Sequence, residues 1–236
     1  MSSHVLLNNV DHKDLRIVTK RSADYGDEVM LALTFPAEFR NLQVDYPIVF
    51  RHTADGVNFE PVALFGFQEG ENLFLGADGW DATEMPLAVG RLPFLIGKSG
   101  DALMVHVDLA SPRISATDGE PVFLPHGGNT GYLERINSYL FALHEGIQST
   151  PAFITALLEH DLLESFFLDI TLDDGSQNRL AGFYTIHEER LNALDGAVLE
   201  RLQKAGYLQA IYFALASLSN FRVLIERKNR RNAGQP

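Results

Sequence analysis

The chain contains no cysteine. That absence removes disulfides, thiolate nucleophiles and cysteine-held metals or clusters together. Basic residues are scarce beside acidic ones, 19 against 31, for a net charge of −12. Such a surface repels phosphate backbones, so no nucleic-acid partner is expected. The N-terminal residues lack a charged start followed by an apolar run and a small-residue cleavage site, so no secretory signal is expected. The most apolar segment, Tyr207 to Phe221, is shorter than the roughly 18–20 residues of a membrane span. It also holds Gln209, Ser217, Ser219 and Asn220. These absences lead to an expectation of a soluble, cytoplasmic protein without a membrane span.

What is present is enough to build a core. Hydrophobic residues make up 46% of 236 positions, a composition that argues against disorder. No Ser/Gly linker or low-complexity run divides the chain, so one domain over 1–236 is expected. It would have a variable segment at 1–25 and a flexible basic tail at 226–236.

One pattern occurs three times: a helix-compatible segment, a strand, a polar turn and a second strand. The strand–turn–strand parts are "YPIVFRH-TADGVN-FEPVALFGF", "FLI-GKSGD-ALMVHVDL" and "LESFFLDITL-DDGSQN-RLAGFYTI". Asp-Gly and Ser-Gly supply the positive φ of tight hairpins, and Val, Ile, Phe and Tyr fill the strands. The pattern predicts an α+β fold with a largely antiparallel sheet, covering helices and a helical C-terminal third. Within that third, Thr150-Pro151 reads as a helix start. Thr185 and Glu188 have capping-box spacing. Leu191, Leu194, Val198 and Leu202 mark one helix face, and Gly206 its stop. Residues 207–224 are apolar nearly all round, which predicts the most buried helix.

Catalytic motifs fail on spacing. Gly97-Lys98-Ser99 resembles the end of a phosphate loop, but Leu92 stands where the first glycine belongs. Ser99 lacks the second glycine of a nucleophile elbow, since Asp101 occupies that place. His187-Glu188 opens like a zinc-protease helix, but Leu191 replaces the second histidine. The pairs Glu159/Asp161/Glu164 and Asp173/Asp174 read as solvated helix and turn carboxylates. His106 and Asp108 are the exception. Alternate strand residues share a face, so with His126, His144 or His160 they would complete an iron site of the two-histidine, one-carboxylate type. Against that stands a plain reading as a His and an Asp at a strand end. No cofactor is otherwise expected.

The stretch "GENLFLGADGW" at 70–80 carries three glycines and the one tryptophan. It reads as two turns, with Gly70 and Gly76 relieving the backbone and Asn72 bonding its own main chain. Trp80 is then a core plug or an aromatic face for a ligand. Tyr46, Phe74, Trp80 and Arg91 are the candidate ligand-binding residues, on the expectation that the first two hairpins adjoin.

Seven blocks together resemble the bacterial SapC family. They are "YPIVF" (46–50), "VALFGFQEGENLFLGADGW" (62–80), "GRLPFLI" (90–96), "GEPVF" (119–123), "FITALLEHDLLESF" (153–166), "LAGFYTIHEERLNAL" (180–194) and "IYFALASLSNF" (211–221). The chain departs from the family pattern at His106, where a cysteine or small residue is expected. The resemblance implies association with a surface array or peptide transport. It also implies an accessory role near nutrient uptake and flavin-dependent halogenase or oxygenase pathways. It brings no catalytic residues to carry over. The leading expectation is therefore a non-catalytic binding protein for a small molecule, peptide or protein partner, possibly a homo-oligomer. A non-haem iron oxygenase and a surface-layer subunit are the alternatives.

Overall fold

A computed structural model describes residues 3–99 and 102–234. The centre of the "GKSGD" turn, Gly100 and Asp101, lies outside the described residues. The strands are β1 (His4–Leu6), β2 (Arg16–Ile17), β3 (Leu31–Leu33), β4 (Ile48–His52), β5 (Phe59–Leu64), β6 (Leu75–Gly76), β7 (Gly79–Trp80), β8 (Phe94–Ser99), β9 (Ala102–Asp108), β10 (Ile114–Ser115), β11 (Glu120–Pro121), β12 (Leu163–Thr171) and β13 (Gln177–Ile186). The helices are α1 (Phe39–Leu42), α2 (Leu87–Gly90), α3 (Gly131–Glu159), α4 (Glu188–Asn192), α5 (Gly196–Lys204), α6 (Tyr207–Ser217) and α7 (Asn220–Asn232).

The fold is α+β, and every strand pairing is antiparallel among the described residues. The main sheet runs β12-β13-β4-β5-β3, and a second runs β1-β9-β8. All three expected hairpins form, as β4–β5, β8–β9 and β12–β13. The apolar residues of β4 and β5 are buried on both faces, so these strands read as continuous hydrophobic runs rather than alternating ones.

Two cores result. The larger packs the main sheet against α6, α7 and the second half of α3, with Phe50 and Phe153 wholly buried. The smaller gathers Ile17, Phe94, Val107 and Val122 around the first half of α3, at Tyr132, Leu133, Ile136 and Leu140. Helix α3 thus serves both cores. Its face at Gly146 lies so close to the ring of Phe35 that an added Cβ would overlap it. Only glycine allows that approach.

Several sequence expectations change. Thr150-Pro151 does not start a helix, because Pro151 sits inside the 29-residue α3. The real cap is Thr130, whose side chain accepts from the Leu133 N–H at 3.3 Å. At the proline, Ser149 and Thr150 hydroxyls both donate to the Gly146 carbonyl, at 2.9 and 2.8 Å. The 191–202 stripe is two helices, broken ahead of Asp195, which caps α5 by accepting from the Val198 N–H. Gly206 does end α5, in the left-handed region at φ 77°. By length and composition the stretch Tyr207–Asn232 is apolar enough to cross a membrane, but only 33% of its most apolar window is buried. It breaks near Ser219 and presents one face to the core through Ala210, Ile211, Ala214, Ser217, Asn220 and Leu224. The 207–224 segment thus buries one face, with Gln209, Tyr212, Ala216, Ser219 and Arg222 exposed.

The basic tail is also structured as far as Asn232. Lys228 pairs with Glu71 at 2.5 Å and Arg227 with Asp81 at 2.8 Å. Arg231 donates to the Asn72 and Leu75 carbonyls. The expected flexible segment 226–236 is helix through position 232, held by these bonds to the 70–81 loop.

Glu38 joins α1 to α2. It is 5% exposed, and it accepts from the Thr34 hydroxyl at 2.6 Å and the Leu87 N–H at 2.7 Å. No cation pairs with it among the described residues. Burial raises its pKa above the usual 4.5, despite both hydrogen bonds. A raised carboxylate contributes stability below the unfolded pKa, and loses it as pH climbs through the folded value. The urea midpoint of Glu38→Gln, measured relative to the parent, should therefore rise as pH goes up from about 4.5 toward neutrality. A difference independent of pH would contradict this.

Candidate functional site

Trp80 sits in a small hairpin. β6 and β7 form a two-residue hairpin, Leu75 opposite Trp80 and Gly76 opposite Gly79, and φ at Gly79 is 111°. Gly70 also takes positive φ, whereas Gly76 does not, so the relief falls at Gly70 and Gly79. Asn72 is fully buried. Its amide donates to the Asp27 carbonyl at 2.8 Å and its oxygen accepts from the Phe74 N–H at 3.0 Å. Trp80 lies edge-on to Phe65, with centroids 5.1 Å apart, and its indole N–H donates to the Tyr46 hydroxyl at 2.7 Å. The Tyr46 hydroxyl in turn donates to the Glu84 carbonyl at 2.6 Å. Burial pushes the Tyr46 phenol well above its ordinary value. Tyr46 and Phe74 are 0% and 1% exposed, with rings 4.6 Å apart. Arg227 covers the Phe74 face at 4.4 Å. Three of the four candidate ligand residues are thus packed against one another, with Tyr46 and Phe74 buried and Trp80 partly exposed.

Arg91, the fourth, lies elsewhere. It ends α2 and lines a cleft of about 500 Å³ with His4, Tyr25, Asp108 and Arg113. One Nη of Arg91 donates to the Phe94 carbonyl, and its Nε is buried without a partner. No carboxylate pairs with it among the described residues. Burial lowers its pKa, the mark of a cation taken partly out of water without compensation.

A buried ion cluster meets the cleft at Arg113. Asp27 is fully buried and binds Arg113 through both carboxylate oxygens, at 2.6 and 2.5 Å. It also accepts from Arg21 at 3.1 Å and from the Ser22 N–H at 2.9 Å. Arg113 spends its other terminal nitrogen on the Val18 and Lys20 carbonyls. Tyr25 lies under the guanidinium at 5.6 Å. Two arginines share one carboxylate, and Arg21 has its pKa lowered by burial and then by the neighbouring Arg113 charge. The sequence analysis missed this cluster, because Arg113 sits in the mixed loop "ASPRISATDGE" where no periodicity marks a buried position.

Asp108 is the cleft's one carboxylate, and it is engaged. It accepts from the Ser3 N–H at 2.8 Å and the Ala110 N–H at 3.0 Å, with His4 3.8 Å away. The Ser3 bond leads the effects holding its pKa below the usual range. The His106 ring lies across Gly97, so close that a Cβ there would be 2.5 Å from it. Its Nδ1 is 3.2 Å from the Met104 carbonyl. Among the described residues no group of three or more His, Asp or Glu gathers to hold a metal, so none of His126, His144 and His160 joins His106 and Asp108.

Two further hollows adjoin. One of about 440 Å³ lies between the β8–β9 hairpin and α3, lined by Arg91, Leu95, Leu103, Leu143, His144 and Ile147 among others. Another of about 250 Å³ lies between α3 and the β3–β5 edge of the main sheet, lined by Leu33, Phe59, Ile147, Pro151 and Ile154 with four threonines. Arg91 lines the first and the cleft; Ile147 lines both hollows. A fourth hollow, beside Phe74, also holds arginines. There Arg227 is tied to Asp81 and Arg231 to main-chain carbonyls.

Fold and site together define an α+β protein with a set of hollows that share lining residues, and with His4 and Asp108 3.8 Å apart in the cleft. The chain belongs to the SapC family, whose model matches residues 7–224. No curated protein and no solved structure matches it.

Removing one partner of a buried ion pair strands the other charge. Asp27→Ala should lower unfolding free energy by about 3–5 kcal/mol in urea denaturation. The double variant Asp27→Ala/Arg113→Met should recover part of that loss. Equal stability of parent and single variant would contradict the ion-pair reading.

Proposed function

We propose that the protein is a non-catalytic binding protein whose cleft takes a small organic anion. The observation behind this reading is Arg91, a partly buried guanidinium at the cleft without a carboxylate partner among the described residues. In a chain of net charge −12, acids to neutralise it are plentiful, yet the one acid lining the cleft, Asp108, is bonded to the Ser3 and Ala110 N–H groups. A guanidinium is suited to a carboxylate, and with one Nη on the Phe94 carbonyl and Nε buried, the other Nη is the donor left for it. The desolvated setting makes such a bond stronger than at the open surface. A binding step of this kind fits the accessory part in nutrient uptake that the family resemblance implies.

The test is calorimetric titration with butanoate at low ionic strength. Arg91→Gln should weaken binding at least tenfold, about 1.4 kcal/mol or more. Arg222→Gln, at an exposed arginine on α7, should leave it unchanged. Equal losses in both variants, or none in either, would contradict a site at Arg91.

A further inference from the structure

The hollow beyond Arg91 bears on what kind of acid the cleft would take. Resting on the anion reading above, we infer that the ligand is a carboxylic acid with an extended apolar body, of the medium-chain alkanoate class. Its head binds Arg91 and its chain lies along α3. The lining of the 440 Å³ hollow carries Arg91 and His144 as its only ionisable groups, and no acid, among the described residues. The rest of that lining is apolar. A fixed cation at one end of an apolar trough is complementary to an amphipathic anion, and to neither a cation nor a fully polar solute.

Ile147 also lines the 250 Å³ hollow beside Pro151 and Ile154, where the one carboxylate of the lining, Glu60, is paired with Arg51. From Leu143 to Ile154 the helix advances about 16 Å, at roughly 1.5 Å per residue. Leu103 and Ile147 stay 48% and 42% exposed, large aliphatic side chains left open on the floor of this path. Pro151 adds a polar feature to the far end. It has no N–H, so the Ile147 carbonyl receives no bond from it in the helix.

Titration with butanoate, hexanoate, octanoate and decanoate, and with decanol as the uncharged comparator, tests the inference. Affinity should rise about two- to fourfold for each added methylene. Arg91→Gln should cut decanoate binding at least tenfold and leave decanol binding unchanged. Ile147→Asp, at a half-exposed position, should bring decanoate affinity down to that of butanoate. If butanoate binds through Arg91 but decanoate binds no tighter, the apolar-body inference fails while the anion site stands. If decanoate binds equally to the parent and to Arg91→Gln, the anion site fails as well.

Discussion

The buried pairing of Asp27 with Arg113 is the interaction on which the arrangement around the cleft depends. Asp27 sits between the two cores. Its carboxylate holds Arg113 and Arg21, and its main-chain carbonyl receives the Asn72 side chain. Arg113 reaches back to the carbonyls of residues 18 and 20. One carboxylate thereby ties the N-terminal segment, the loop after β9 and the glycine-rich 70–80 loop together. Burying these charges is costly, and only their mutual geometry offsets that cost. Asn72 also accepts from the Phe74 N–H, and Phe74 packs on Tyr46, whose hydroxyl receives the Trp80 indole N–H.

Arg91 and Arg113 both line the cleft, and of the two only Arg113 has a carboxylate partner among the described residues. Another partly buried arginine, Arg227, is matched to Asp81. Helix α3 extends the site. It runs past both cores, and along the way its exposed apolar side chains border the path away from Arg91. In the proposed site Arg91, at the end of α2, borders the same hollow as Leu143 and Ile147 of α3, a helix that sequence patterning did not reveal as continuous.

How much was legible in the sequence follows from which forces are local. Hairpins are specified by turn residues and β-branched runs, so β4–β5, β8–β9 and β12–β13 were readable. Gly206 was readable because its positive φ is a property of one residue. Pro151 misled, because proline usually marks a first turn and here tertiary packing holds a helix through it. The tail at 226–232 misled for a similar reason: a run of arginines reads as solvated unless its partners, Glu71 and Asp81, are known. Of the candidate site residues, Arg91 was picked out for adjoining the aromatic trio, yet it lies in a different cleft. His106 and Asp108 share a strand, but what each touches depends on Gly97, Ser3 and Ala110, contacts that strand alternation does not encode. The Asp27 cluster joins residues 86 positions apart, a distance over which sequence spacing carries no signal.

A crystal structure of the protein soaked with decanoate tests the central claim most directly. The account places the carboxylate within hydrogen-bond distance of the Arg91 guanidinium, with the alkyl chain on α3 between Leu143 and Ile154. A carboxylate bound away from Arg91, or a chain lying outside that path, would contradict it.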